Sequence, residues 1–339
     1  MSMPPGLPPD PNQPPTTPMT PPPAPQYPAY PAAQPADAPQ GGYSAPPQFP
    51  VAPPYQAAPA GYADPLVLAP GSSFSAWFAK FQEVAKRSWK SSLIIMLLGV
   101  AAPRALVALI GGLAGYGGGY SYSVLTHIGT FFLGLLVTLV LSIAAAFVAS
   151  AAWAAGTWAL IQEAQTGQSA NLGAAFQYGF RRAMAIFPWA VVAGFAVTLG
   201  TICLFLPGLY LAFAFSMFGF AAIFERGKNP LGRSFNLTHK SSQIGPTIGK
   251  VAIVFGIYLI YSLIIGAIFG AIAVAVAFGS IRSGVTTDLG FVGNFIEAIG
   301  TLLTGPVLAV VLVGLFVTYA ELRAQEAPLN TATLAQELG

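Results

Sequence analysis

The sequence predicts an all-α polytopic membrane protein: six transmembrane helices, three interfacial amphipathic helices and a disordered proline-rich N-terminal tail. Composition gives the first reason, because 55% of the 339 residues are hydrophobic, 7% are charged and the mean hydropathy is +0.65. One water-soluble core cannot bury that much apolar surface. The second reason is a stretch of 42 residues, 183–224, without any charged residue. As one helix it would be about 63 Å long, roughly twice a bilayer core, so it must fold back on itself.

The predicted tail covers residues 1–73 and holds 24 of the 31 prolines, with no Lys or Arg before Lys80. Such a composition favours a disordered chain rich in polyproline II. The start lacks the basic region and early apolar stretch of a signal peptide, so the tail is expected to stay inside the cell. Two roles remain open for it: a solvated spacer, or a segment that recruits a protein partner through proline and tyrosine.

Long apolar runs predict six spans in a membrane domain over 74–325, followed by a short cytoplasmic C-terminal tail over 326–339. Leu-Pro-Gly-Leu at 206–209 is the expected reversal inside the uncharged stretch. Pro207 cannot continue the preceding hydrogen-bond ladder, and Gly208 tolerates turn dihedrals. The predicted spans lie at about 92–112, 129–160, 185–205, 209–224, 251–278 and 292–320.

Lys and Arg predict the orientation of these spans. Twelve of the 14 basic residues flank the spans on one side, Arg282 lies on the other, and Arg104 lies inside a span. Basic residues concentrate in the cytoplasmic loops of membrane proteins. The N- and C-termini are therefore both predicted to be cytoplasmic.

Three short amphipathic segments share one register, and each precedes a pair of spans. We interpret them as copies of one unit that lies at the membrane surface, with its bases meeting anionic headgroups or the acidic span ends Glu163 and Glu225. The alternative is that any short cytoplasmic loop beside a span becomes basic and amphipathic. The aligned positions are Trp77, Leu172 and Leu231, then Phe81, Phe176 and Phe235, then Lys86, Arg181 and Lys240.

Residues 203–249 resemble the signature region of the membrane domain associated with some glycerophosphoryl diester phosphodiesterases. That region has a Leu-Pro-Gly turn, a short span, an acidic residue and a helix carrying Arg-Ser, which Glu225, Arg233 and Ser234 match. The proline-rich tail resembles that of actinobacterial proline- and glycine-rich transmembrane proteins. The resemblance covers about residues 74–325 and implies a membrane module of the bacterial cytoplasmic membrane, without a defined chemistry.

The sequence argues against an enzyme. The phosphodiesterases need a separate catalytic barrel of about 250 residues with metal-binding carboxylates and histidines, for which this chain has no room. Cys203 is single and the two histidines are separated, so neither a metal site nor a cofactor is expected. A nucleic-acid partner is not expected either. Ser234 is expected to contact backbone rather than act as a nucleophile.

The last span carries the most function-like pattern, because Asn294, Glu297, Thr301 and Thr304 share one helix face before Gly305-Pro306. This polar face favours membrane transport or lipid handling, unless its groups satisfy one another inside the bundle. A scaffold that acts through the tail is the alternative function, and the oligomeric state is open. Arg104 and Glu297 are predicted to form an ion pair at similar depth, either structural or released by protonation of Glu297.

Overall fold

A computed structural model describes residues 64–113, 128–240, 244–283 and 289–339. The part of the chain so described is helical and contains no strand, which confirms the predicted all-α class. A π-helical turn at Leu97–Ala101 joins the first two helices. The helices are α1 Phe74–Met96, α2 Ala102–Leu113, α3 Ile128–Thr166, α4 Leu172–Cys203, α5 Phe205–Ala214, α6 Phe218–Phe224, α7 Pro230–Thr238, α8 Ile244–Ser283, α9 Leu289–Leu302, α10 Gly305–Ala324 and α11 Thr331–Leu338.

Six helical stretches are long and apolar enough to cross a membrane, which confirms the predicted number of spans. Three of them are built from more than one helix: α1 with α2, α5 with α6, and α9 with α10. The stretches are Phe74–Gly111, Phe132–Thr166, Leu172–Cys203, Phe205–Phe224, Ile244–Gly279 and Val292–Ala324.

The first two amphipathic segments are not separate helices, because α1 and α4 run from them into the spans without a break. No proline interrupts either helix before the span begins, so the hydrogen-bond ladder continues. Phe81 is 6% exposed and belongs to the protein core, and Phe176 is half-buried against it, whereas Phe235 is 40% exposed and stacks on His239. The three aligned aromatic residues therefore occupy three different environments.

The bases of the three segments also differ. Lys86 and Arg181 are exposed, and Lys240 is half-buried. α7 is the one segment that forms a helix of its own, between Asn229, whose side chain caps it, and His239. The three segments thus share a register in sequence, but they differ in burial and in whether they form separate helices.

A π-helical turn widens the first span at Leu97–Ala101, where the Ala102 N–H bonds the Leu97 carbonyl five residues back. Pro103 accounts for its position. A proline ring has no N–H to offer the carbonyl four residues earlier, that of Gly99, and clashes with it in a regular helix. Opening the helix by one residue removes the clash.

The reversal in the uncharged stretch lies at Leu204, two residues before the predicted Leu-Pro-Gly-Leu turn. Leu204 has extended dihedrals, and Pro207 stands in the first turn of α5, where its missing N–H costs nothing. Gly208 serves close packing rather than the turn, because a Cβ there would lie 2.7 Å from the Cα of Thr201. Glycine thus lets α5 lie directly against α4.

The buried core lies toward one end of the bundle, which we call the charged end because all seven ion pairs of the described residues lie there. Phe220 is fully buried at its centre, with ring centroids 5.4 Å from those of Trp153 and Tyr319. Trp77 donates its ring N–H to Thr318 at 3.1 Å. At the opposite end, which we call the far end, large side chains such as Phe195, Ile202 and Phe278 are exposed.

Two segments predicted as tails pack on the charged end. Leu66 and Val67, inside the predicted disordered region, are buried, and the rest of that region up to residue 63 lies outside the described residues. The predicted C-terminal tail forms α11, whose Leu334 and Leu338 are buried. The Asp64 carboxylate accepts hydrogen bonds from the N–H and hydroxyl of Thr331, at 2.8 and 2.6 Å. The membrane domain therefore extends beyond the predicted limits of 74 and 325.

Candidate functional site

The family-like motif closes a helix break rather than a catalytic site. The fourth span is interrupted between α5 and α6, which leaves the Ala214 carbonyl and the Met217 N–H without helical partners. Ser234 on α7 supplies both, because its hydroxyl donates to Ala214 at 2.8 Å and accepts from Met217 at 3.1 Å. Irregular backbone at membrane depth requires such protein partners. The predicted backbone contact of Ser234 is thus present.

Glu225 and Arg233 are joined by an ion pair of 2.7 Å that ties the end of α6 to α7. The Arg233 guanidinium also binds Glu326 after α10, and Lys228 adds a contact of 3.1 Å to Glu225. Tyr319 donates to Glu225 at 3.4 Å. Arg233, which the sequence singled out as part of the family-like motif, thus lies inside an ionic network.

The network sets the titration of its members. Burial raises the pKa of Glu225, but hydrogen bonds from Arg233 and Lys228 and their positive charges outweigh it, so the pKa lies below its usual value. The hydrogen bond to Glu326 raises the pKa of Arg233, and the bond to Glu225 adds to it against the opposing effect of burial. Both groups are therefore charged at neutral pH and hold each other in place.

A second buried pair was missed from the sequence. Lys250 Nζ lies 2.6 Å from both carboxylate oxygens of Glu321, and the two side chains are 5% and 2% exposed. A signal existed, because Lys250 directly precedes one predicted span and Glu321 directly follows the next. The charged groups of the network and of this pair are thus all engaged by other side chains of the protein.

A groove between α8 and α9 in the far half is the candidate ligand site, with a volume of about 340 Å³. This is within the size range of small-molecule sites, about 300 to 1,000 Å³. Its walls are mostly apolar, and three glycines leave open space in it. A Cβ at Gly266, Gly270 or Gly293 would meet no atom within 4 Å. The spaced glycines Gly266 and Gly270 thus leave open space rather than allow a close helix contact.

Glu297 is the one ionisable side chain among the lining residues of this groove. It is exposed, and it makes no ion pair or hydrogen bond with the described residues. A charge that faces lipid at the middle of a helix costs about 2.5 to 3.5 kcal/mol or more. Glu297 therefore requires a partner that the described part of the chain does not supply.

Arg104 on α2 is also exposed, and the predicted ion pair with Glu297 is not formed among the described residues. The backbone positions of the two residues nevertheless lie at about one level by residue count. A Cβ on Gly305 would lie 3.4 Å from the Cα of Leu97, so these positions face each other. α2 and α9 pack together and run from this contact toward the far end. At 1.5 Å per residue, Arg104 lies about 10 Å from Leu97 along its helix, and Glu297 lies about 12 Å from Gly305.

The other residues of the predicted polar face divide between packing and the groove. Asn294 is buried, whereas Thr301 and Thr304 line the groove. The last span breaks just before Gly305-Pro306, where the Thr304 hydroxyl donates to Thr301 and the Tyr261 hydroxyl donates to Leu303, both at 2.7 Å. Neither Tyr261 nor its neighbour in the groove lining was predicted from the sequence, although hydroxyls are scarce in that span.

That neighbour is Ser262, whose hydroxyl oxygen is buried in the groove wall without a hydrogen-bond partner. A buried hydroxyl is normally satisfied by protein or water. Among the described residues, the groove thus contains an unpartnered carboxylate and a buried, unpartnered hydroxyl on largely apolar walls. No group of three His, Cys, Asp or Glu residues that could hold a metal occurs in the described ranges.

Comparison of the chain with protein-family models, with curated proteins and with solved structures gives no match. The resemblance to the phosphodiesterase-associated membrane domain therefore stays a prediction. What the structure establishes is a helical protein with six helical stretches long and apolar enough to cross a membrane. It also shows a groove lined by Glu297, which makes no ion pair with the described residues.

Proposed function

We propose that this chain is an integral membrane protein that handles lipids, and that it binds them in the groove between α8 and α9. One observation carries the proposal: the groove has apolar walls, yet it holds the unpartnered carboxylate of Glu297. An amphiphile satisfies both features, because its hydrocarbon chain matches the walls and its polar group meets the acid. The proposal includes no catalytic step.

Access to the groove supports a ligand that arrives through the bilayer. The outer side of α8 exposes Leu263, Ile264 and Ile268, which suits contact with acyl chains. Ionisable groups inside spans commonly mark substrate or ion pathways. A water-soluble ligand would have to cross this apolar surface, so a lipid fits better.

We further propose the topology predicted by Lys and Arg, with the charged end in the cytoplasm of a bacterial cell. The ion pairs and most basic residues gather at that end. Cys203, exposed beside the turn at Leu204, would then face outward. An impermeant thiol reagent should label Cys203 in intact cells, and should not reach a cysteine placed at Lys240 in a Cys203→Ala background. The reverse pattern contradicts the orientation.

Photo-crosslinking tests lipid binding. The protein is placed in nanodiscs with phosphatidylglycerol that carries a diazirine on one acyl chain, and labelled peptides are identified by mass spectrometry. We expect labelling along the groove. Filling it with the double variant Gly266→Leu and Gly270→Leu should remove that labelling without a clash, since both positions are open.

Gly194→Leu is the matched control, because Gly194 is equally open but lies on α4, away from the groove. It should leave groove labelling unchanged. If the groove-filling variant is labelled as strongly as the wild type, lipid handling at this site is excluded. The alternative function, a scaffold acting through the proline-rich tail, stays a prediction, because residues 1–63 lie outside the described residues.

A further inference from the structure

We infer that Arg104 and Glu297 together bind the headgroup of a zwitterionic phospholipid with a primary ammonium group, the guanidinium binding the phosphate and the carboxylate the ammonium. This inference rests on the proposed lipid groove and names its ligand class. It explains why two opposite charges on helices that pack together, at about one level by residue count, make no ion pair with the described residues. Glu297 lines the groove, and Arg104 lies on the neighbouring helix α2.

The positions of the two charges fit one headgroup. Neighbouring helices pack with their axes about 8 to 10 Å apart, so side chains at one level on α2 and α9 can reach a shared ligand. Arg104 is exposed beside the buried Ala105, and Glu297 is exposed beside the buried Ala298. Each charge is therefore available next to a packed helix face.

Charge complementarity selects the headgroup. A phosphate with an ammonium group offers one negative and one positive charge, which matches one guanidinium and one carboxylate. An anionic headgroup would satisfy Arg104 and leave Glu297 uncompensated in an apolar setting. A cationic lipid would leave Arg104 in the same state. Arg104 and Glu297 together carry no net charge but present one positive and one negative group. A zwitterionic headgroup has the same charge pattern.

The chemistry of Glu297 favours a primary over a quaternary ammonium. A carboxylate accepts hydrogen bonds, and a primary ammonium supplies three N–H donors, whereas a choline group supplies none. Quaternary ammonium groups are bound instead by cages of aromatic rings. The lining of the groove contains a single aromatic residue, Phe269, which cannot make a cage. Phosphatidylethanolamine is the simplest lipid of the required class.

A second cleft provides an internal comparison within the same chain. It lies between α2 and α3, has a volume of about 410 Å³ and carries no charged residue in its lining. Lipid chains should enter it without regard to the headgroup. Its lining includes Leu98, Ala102, Leu106, Leu141, Ala144 and Val148.

Competition in the photo-crosslinking assay tests the headgroup. Unlabelled phosphatidylethanolamine should suppress groove labelling at about a tenth of the concentration needed for phosphatidylglycerol or phosphatidylcholine, the difference made by one charge-assisted hydrogen bond. Glu297→Gln should abolish this preference. Arg104→Gln should weaken competition by all three phospholipids and leave competition by diacylglycerol unchanged. Arg104→Lys, which keeps the positive charge, should retain part of the competition by phospholipids seen in the wild type. Arg282→Gln, which removes an exposed base at the end of α8, is the control.

Each outcome decides the inference. If all lipids compete equally at a labelled groove, the headgroup assignment fails while lipid handling stands. If the groove is not labelled at all, both fail. A direct ion pair between Arg104 and Glu297 would also overturn the assignment. It would appear as low stability of Arg104→Glu and of Glu297→Arg, normal stability of the double variant, and no change in lipid preference in any of them. A second copy of the chain as occupant would overturn it too, shown by a dimer that either variant dissociates.

Discussion

The two halves of the membrane domain are held together by different means. In the charged half, aromatic rings, buried ion pairs and packed segments from both ends of the described chain fill the space between helices. In the far half, α3, α4 and α8 expose most of their surface: of the most apolar part of each stretch, 11%, 11% and 0% of the residues are buried. The grooves beside Glu297 and between α2 and α3 both lie there.

The difference shows where rigidity and adaptability reside. Lipid is the solvent of the far half, so exposed Leu, Ile and Phe cost nothing there once the bilayer surrounds them. The charged half contains the helix break at 214–217 and the buried ion pairs, and there the backbone and ionic groups have protein partners. A bundle packed at one end and open at the other suits the lipid binding that we propose.

The largest expected effect comes from the buried pair at the charged end. Lys250→Ala leaves Glu321 buried without its partner, which should lower the free energy of unfolding by about 3 to 5 kcal/mol. Unfolding by SDS in mixed micelles, followed by tryptophan fluorescence, measures it. Lys228→Ala is the control, because that side chain is 66% exposed and its pair is worth less than about 1 kcal/mol. Equal effects of the two variants would contradict the importance of burial for the Lys250–Glu321 pair.

Two glycines of α4 compare the halves directly. A Cβ on Gly179 would overlap the Ala151 carbonyl and approach Ala155 Cβ to 2.9 Å, so Gly179→Ala should destabilise by about 1 to 3 kcal/mol. Gly194 is open, so Gly194→Ala should stabilise by about 0.5 to 1 kcal/mol through helix propensity. The same unfolding assay should give opposite signs. A loss of stability in both variants would mean that the far half is packed as well.

Ser234→Ala tests whether the helix break depends on α7. The substitution leaves the Met217 N–H and the Ala214 carbonyl without Ser234, at a cost of about 1 to 3 kcal/mol for an unsatisfied buried group. Amide hydrogen exchange should then rise locally across 214–218. Thr166→Ala, which removes an exposed hydroxyl bonded to the backbone of Gln162 and Gln168, should leave exchange across 214–218 unchanged. Unchanged exchange at the break would show that Ser234 does not support it.

The smallest expected effect is on acid stability. The pKa of Glu225 in the folded chain lies below its ordinary value of 4.5. The network therefore stabilises the fold fully above pH 4.5, and this stabilisation is lost as the pH falls through the folded-state pKa. Glu225→Gln should reduce the loss of stability as the pH falls below 4.5, measured by the same unfolding assay. An identical acid profile for Glu225→Gln and the wild type would contradict this.

The sequence by itself determined the class and the number of spans. Hydropathy over some 20 residues is enough for that, because a bilayer imposes one length and one polarity on every helix that crosses it. Asn229 as a helix cap, the break before Gly305-Pro306 and the backbone role of Ser234 were also predictable. The first two features depend on chemistry within a few residues, and the third depends on one hydroxyl close to a break in a helix.

The tertiary structure alone decided which residues meet. The register that aligns Phe81, Phe176 and Phe235 is real in sequence, but burial depends on the neighbouring helices, which differ for each copy. Asp64 bonds Thr331 across 267 positions, and no local pattern indicates such a contact. The groove beside Glu297 exists because α8 and α9 leave open space at glycines whose spacing is equally typical of close packing. The distance between two helices depends on many contacts between residues far apart in sequence. The sequence therefore predicts Glu297 inside a span, but only the tertiary structure shows the groove beside it.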